Sequence, residues 1–335
     1  MQTTLTSRKN LCLSLIAGAM FCVSATAQHA GQDLDVQQLR PDFYVISYHG
    51  VNTSIQAGSD GVIVVDGGAV AGAERILAEL KKLTPAPIRF VINTNADPDH
   101  VGANEVLSKA GQSVIPVGGL NANLGAAEGR ASILAELHVL TRMSSSGQDG
   151  KTLFPEATWP TDTYSADIQE TRKDLYVNGE AVRVFYQPAA HSDGDSIVFF
   201  RRSDVIAAGD ILDTNRFPVI DVEKGGSIQG EIDSLNNLLD LAVTSTPFVW
   251  QAGGTLIVPG HGRVYDRNDL VEYRDMITII RDTITDLIKR GMTLDQVKKA
   301  DPTKGYRRQF GSDSGAWTTD MFVEAVYRTL SPRKK

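Results

Sequence analysis

The chain has 335 residues, a formal net charge of −7 and 22% charged residues, long enough for one large core or two modest ones. The acidic balance argues against a nucleic-acid partner, since the one basic cluster is the terminal "SPRKK", a solvated tail. Both cysteines, Cys12 and Cys22, fall within the first 27 residues, so the rest of the chain has no disulfide, thiolate metal site or cysteine nucleophile.

In chain order, "MQTTLTSRKNLCLSLIAGAMFCVSATAQ" places Arg8 and Lys9 before an apolar run from Leu11 to Val23 and closes on Ala25-Thr26-Ala27. This reads as a secretory signal over residues 1–27. The run is shorter than the ~20 apolar residues of a spanning helix, so a periplasmic or secreted protein with no stable membrane insertion is expected. Cleavage after Ala27 leaves 308 residues with a formal charge of −9, a domain over 28–335.

Short β-type runs follow at 43–49, 52–58 and 61–68, separated by Gly, Asn, Ser and Asp, which predicts a meander. "AGAERILAELKKL" has helical spacing, "PIRFVIN" returns to strand, and "NEVLSKA" begins another short helix. The stretch "SILAELHVLTRM" reads as a helix running into a long polar loop over 144–165, of the kind that forms lids or binding loops. Strands are expected at "DLYV", "AVRVFYQ", "SIVFF" and "DVIAAGD". A helix at "EIDSLNNLLDLAV", a strand at "TLIVPGHG" and a helical C-terminal segment complete the chain. Strands then helix, twice over, implies two β-sheets with helices outside them.

Chemistry-bearing residues recur where strand-like runs end in Gly- and Asp-rich turns. They are Asp66 in "VIVVDGG", the run "NTNADPDH" with Asn95, Asp97, Asp99 and His100, His191 in "AAHSDGDS", Asp210 in "AAGDILD", and His261 in "VPGHG". A rigid scaffold presents reactive groups at such ends. Imidazoles and carboxylates without sulfur suit zinc, iron or manganese. Any one of these histidines alone reads more readily as a hydrogen-bonded structural residue; five such ends in one chain do not.

In these residues the chain resembles the metallo-β-lactamase fold superfamily. Its signature after a strand is Thr-His-x-His-x-Asp-His, followed by a histidine, a bridging aspartate and a last histidine. "TNADPDH" stands at the signature, and His191, Asp210 and His261 take the later positions. The resemblance implies an αββα sandwich of two mixed β-sheets with outer helices and metals at one edge. It also implies a first metal site at Asn95, Asp97 and His191 and a second at Asp99, His100 and His261, with Asp210 able to touch both and Asp66 in support. Asn95 replaces an imidazole with a neutral amide, a poor zinc ligand, so one zinc in the second site is expected, with the first weak or absent. The carboxylate-rich set also admits manganese or iron.

The function expected from this is an exported metal-dependent hydrolase acting on a small molecule through an ester, lactone, lactam or related bond. A metal-bound water would be the nucleophile, and Asp99 or His191 would orient it or take its proton. A non-catalytic metal- or ligand-binding protein is the alternative, and the oligomeric state is not indicated. Arg216 in "DTNRFPVIDVEKGGS" falls near the expected pocket as an anion contact or as the structural partner of a carboxylate. His49, at a turn beside the pocket, reads as a substrate contact or a surface residue, and His138 as structural.

Overall fold

A computed structural model describes residues 34–114, 129–147, 151–165, 172–245 and 253–331. The segment read as an export signal, residues 1–27, and residues 332–335 of the basic tail lie outside them. The first described element, β1 (Leu34–Arg40), pairs antiparallel with β2 (Phe43–Tyr48). It is a strand absent from the sequence reading, because its mostly exposed side chains leave little apolar alternation. The meander then runs as expected through β2, β3 (Val51–Gly58) and β4 (Gly61–Val65).

Helix α1 (Ala73–Leu83) buries Ala73, Ile76, Leu77 and Leu80, the i, i+3, i+4, i+7 stripe of a helix laid on a sheet. Strand β5 (Ile88–Ile92) lies parallel to β4 and leads into α2 (Pro98–Val101) and α3 (Asn104–Ala110). The stretch read as one helix at 132–143 divides instead into β6 (Ser132–Glu136) and α4 (Leu137–Met143). Ile133, Leu134 and Ala135 are all buried and β6 pairs parallel with β5, so burial on both faces of the sheet overrides a helical pattern. The 144–165 loop contributes a further short strand, β7 (Asp162–Tyr164).

The second half contains β8 (Arg172–Val177), β9 (Glu180–Gln187), β10 (Asp195–Phe200) and β11 (Val205–Asp213), an antiparallel series. Helix α5 (Ile228–Leu241) crosses to β12 (Leu256–His261), which runs parallel to β11. Four helices close the described chain: α6 (Arg267–Lys289), α7 (Leu294–Ala300), α8 (Arg307–Phe310) and α9 (Thr319–Leu330). Among the described residues no helix is long and apolar enough to cross a membrane.

The two strand layers join through a single residue pair, His261 of β12 with Val51 of β3. Between them lies a core drawn from both halves, with Phe43, Val65, Ile92 and Leu134 against Val184, Val198, Phe200 and Val258. On one outer face α1 and α3 bury Ile76, Leu80 and Leu107. On the other α5, α6 and α9 bury Leu235, Ile277 and Phe322. Helices on both outer faces and apolar side chains between the layers make the αββα sandwich. The ends of β4, β5 and β12 carry Asp66, the 93–100 turn and His261 to one edge, where β11 brings Asp210 from within the strand, ahead of its end at Asp213.

Candidate metal centre

The cradle is built by local turns fastened to its neighbours. Past the end of β5, Asn93 and Asn104 exchange side-chain amide hydrogen bonds of 3.0 and 2.8 Å in the interior. Thr94 follows, giving its backbone N–H (2.8 Å) and its hydroxyl (2.7 Å) to the two carboxylate oxygens of buried Asp66. Asp66 has φ +57°, a left-handed conformation that costs a non-glycine residue roughly 1–2 kcal/mol. Gly209, at φ +55°, passes so close that a Cβ there would sit 2.3 Å from Thr94 Oγ1. Next, Asn95 Oδ1 accepts from the Asp97 N–H at 2.8 Å. Pro98 starts α2 with Asp97 as its N-cap, and this one turn carries Asp99 and His100.

Two ligand groups result. Asp99, His100 and His261 each offer an atom within 4.8 Å of the others, and so do Asp97, His191 and Asp210. In the first group His261 Nε2 lies 3.3 Å from both Asp99 Oδ2 and Asp210 Oδ1. His100 is fully buried, with Nδ1 3.0 Å from Asp66 Oδ2 and Nε2 3.0 Å from Asp210 Oδ2. Yet neither His100 nitrogen nor Asp210 Oδ1 has an aligned hydrogen-bond partner. Buried polar atoms without aligned partners are costly in a folded protein, and a cation held by Asp99, His100, His261 and Asp210 would take His100 Nε2 and Asp210 Oδ1, leaving His100 Nδ1 on Asp66. This donor set of nitrogen and carboxylate oxygen fits zinc.

The second group is committed to partners of its own. His191 Nδ1 donates to the Val219 carbonyl at 2.8 Å while Nε2 meets Asp97 Oδ2 at 3.2 Å. Asp97 Oδ1 receives the Lys224 ammonium at 2.8 Å. Asn95 turns its amide NH₂ to Asp210 Oδ2 at 3.0 Å, so its oxygen faces the backbone rather than the centre.

The charges hold one another. Burial works against the charged forms throughout, and the close opposite charges outweigh it. Contact with Asp97, with Asp210 and Asp195 nearby, raises His191 to about 10. Asp210 and Asp99 raise His261 to about 9, and Asp210 and Asp66 push His100 well above the usual imidazole range. Conversely, Asp97 is held well below the carboxylate range by His191 and Lys224, and Asp210 by His100, His261 and His191.

Asp97, Asp99, His191, Asp210 and His261 line a cavity of about 140 Å³ together with Asp213, Arg216 and Val219. Arg216 Nε is bound to buried Asp213 Oδ2 at 2.5 Å, so it is a carboxylate's partner at the rim of the pocket. His49 is exposed in the β2–β3 turn and is absent from the cavity lining. His138 sits 2.9 Å from Glu136 Oε2 and stacks on Tyr186, and it belongs to neither ligand group nor to the cavity lining. Sequence reasoning missed Lys224, whose one signal was a cation beside a glycine pair within the quoted 213–227 stretch. It also missed Asp213 and the Val219 carbonyl, whose roles depend on contacts across the fold.

No curated protein matches the chain in sequence. Solved structures share the fold. A metallo-β-lactamase from Pontibacter korlensis aligns at TM-score 0.51 and 14% identity over 73% of this chain and 99% of its own. The DIM-1 metallo-β-lactamase aligns at 0.52 and 13% over 74% and 98%. An inverting sec-alkylsulfatase from Pseudomonas sp. aligns at 0.56 and 14% over 88% of this chain, which spans only 50% of the alkylsulfatase. A family model described as the metallo-beta-lactamase superfamily matches residues 48–261, the segment that holds all the ligand-type residues of the site. The chain belongs to the metallo-β-lactamase superfamily.

Proposed function

We propose that this protein is an exported hydrolase with one metal ion, zinc, held by Asp99, His100, His261 and Asp210. The observation that carries the reading is the pair of buried atoms without aligned hydrogen-bond partners, His100 Nε2 and Asp210 Oδ1, beside ligand atoms gathered within 4.8 Å. When bound, the metal supplies a water of lowered pKa and polarises the bond to be cleaved.

The remaining work falls to side chains. Asp99 is about one-third exposed at the cavity wall, placed to accept a proton from that water. His191, buried and engaged at both ring nitrogens by the Val219 carbonyl and Asp97, lines the same cavity and places a positive charge beside developing oxyanion charge rather than an N–H of its own. Asp66 fixes the orientation of His100 through the nitrogen that the metal does not take. The small cavity suits a small-molecule ester, lactone or lactam, and fold alone does not choose among them.

The test combines elemental analysis of the dialysed protein with a turnover screen of carboxylic esters, lactones, lactams, sulfate esters and phosphoesters, with and without chelator. Chelator-sensitive turnover with one zinc per chain is expected; bound metal with no turnover on any class would favour a binding protein. Mass analysis of protein recovered from an exporting host should show loss of residues 1–27, and an intact N-terminus would remove the export part.

A further inference from the structure

Lys224 belongs to no element of the metal-binding pattern, yet its ammonium stands beside the first ligand group. Its side chain is about one-third exposed and bridges Asp97 Oδ1 at 2.8 Å and Asp221 Oδ2 at 3.0 Å. The turn that carries it is fastened to the His191 loop: Asp193 N–H donates to the Lys224 carbonyl, and Asp221 N–H to the His191 carbonyl, both at 2.9 Å. Asp221 caps that turn by accepting from the Lys224 N–H. The ammonium is thus held by the scaffold rather than by a free surface chain.

A divalent ion in the first group would need Asp97, His191 and Asp210 to turn lone pairs toward it. Asp97 already has one oxygen on Lys224 and the other on His191. Asp210 Oδ2 already accepts from the Asn95 amide, whose orientation is set by the Asp97 N–H on its oxygen. An ammonium and an amide NH₂ therefore bring positive charge to the place a first metal would take, and like charges repel most strongly where water is scarce. The first group does not fit a metal.

We propose that Lys224 is a resident cation standing in for the first metal, which keeps the centre mononuclear and neutralises Asp97 beside the second site. This rests on the hydrolase reading above, in which one zinc occupies Asp99, His100, His261 and Asp210. Its removal should open the first group, because Asp97, His191 and Asp210 would remain with a net negative charge.

The experiment is a zinc titration of the metal-stripped full chain by calorimetry against a competing chelator, with zinc counted by elemental analysis after dialysis. Wild type should hold one equivalent. Lys224→Met should hold two, the second bound about 10- to 100-fold more tightly than any second binding in wild type, the range for lost or gained support around a metal. Lys224→Arg, which keeps a cation there, should stay at one. Thermal melts of each variant separate misfolding from a change in stoichiometry, and Lys224→Gln replaces Met if that variant aggregates. One equivalent in wild type and also in Lys224→Met overturns this inference and leaves the hydrolase reading standing, whereas two tight equivalents in wild type overturn it together with the one-zinc part of that reading. No tight zinc in any variant overturns both.

Discussion

Asp66→Ala tests the cradle as a whole. The carboxylate is buried and receives the Thr94 N–H at 2.8 Å, the Thr94 hydroxyl at 2.7 Å and the close approach of His100 Nδ1 at 3.0 Å. Truncation strips the acceptor from all three. A buried donor left unmade costs ~1–3 kcal/mol, and the hydroxyl can rotate to another acceptor, so a loss of about 3–5 kcal/mol is expected. That is a large fraction of the ~5–15 kcal/mol that holds a typical domain. Asp66→Gly should lose about 1 kcal/mol less, because glycine accepts φ +57° without strain. Zinc affinity should fall about 10- to 100-fold, since His100 loses the group that orients it. The assay is guanidinium unfolding in the presence of chelator, paired with competitive zinc titration. An Ala variant within about 0.5 kcal/mol of wild type and with unchanged zinc affinity would refute the role given to Asp66.

Asp99→Ala and His261→Ala should each abolish retention of zinc on dialysis, whereas His138→Ala, outside both ligand groups and paired with Glu136, should leave it at one equivalent. Gly209→Ala should destabilise by about 3 kcal/mol or more and weaken zinc, as its Cβ would stand 2.3 Å from Thr94 Oγ1 at a positive φ; unfolding by denaturant measures the first and dialysis the second. The imidazoles set a pH dependence. Folding raises His191 to about 10 and His261 to about 9 from an ordinary 6.5, so in chelator their contribution to stability is fully present below pH 6.5 and is lost as the pH rises through 9 to 10. Zinc must displace a proton from His100 as well as from His261, so its apparent affinity should climb about a hundredfold per pH unit between 6.5 and 9. A flat affinity over that range, measured by competitive titration, would contradict the charged state assigned to His261.

The sequence by itself determined what is carried by local periodicity and strand ends. The meander at 43–68, the stripe of α1 and the termination of β5 in a polar turn were legible because alternation and helical spacing report directly on which face is buried. The order Asp66, Asp97, Asp99, His100, His191, Asp210, His261 was legible for the same reason, each standing where a strand-like run stops. Strand β6 was not, since Ile133 to Ala135 form a strand only because β5 and β7 pair on either side of it. Nor was β1, whose exposed residues gain order from β2 rather than from a pattern of their own. That the first half of the site is the poorer in ligands was legible from Asn95, but only the tertiary structure decided which partners its residues take. The amide of Asn95 is turned by the Asp97 backbone, Arg216 is taken up by Asp213, and Lys224 reaches Asp97 across 127 positions of chain. Such pairings depend on which loops two separate sheets bring to one edge. A spacing along the chain carries no record of a hydrogen bond made between chain segments that far apart.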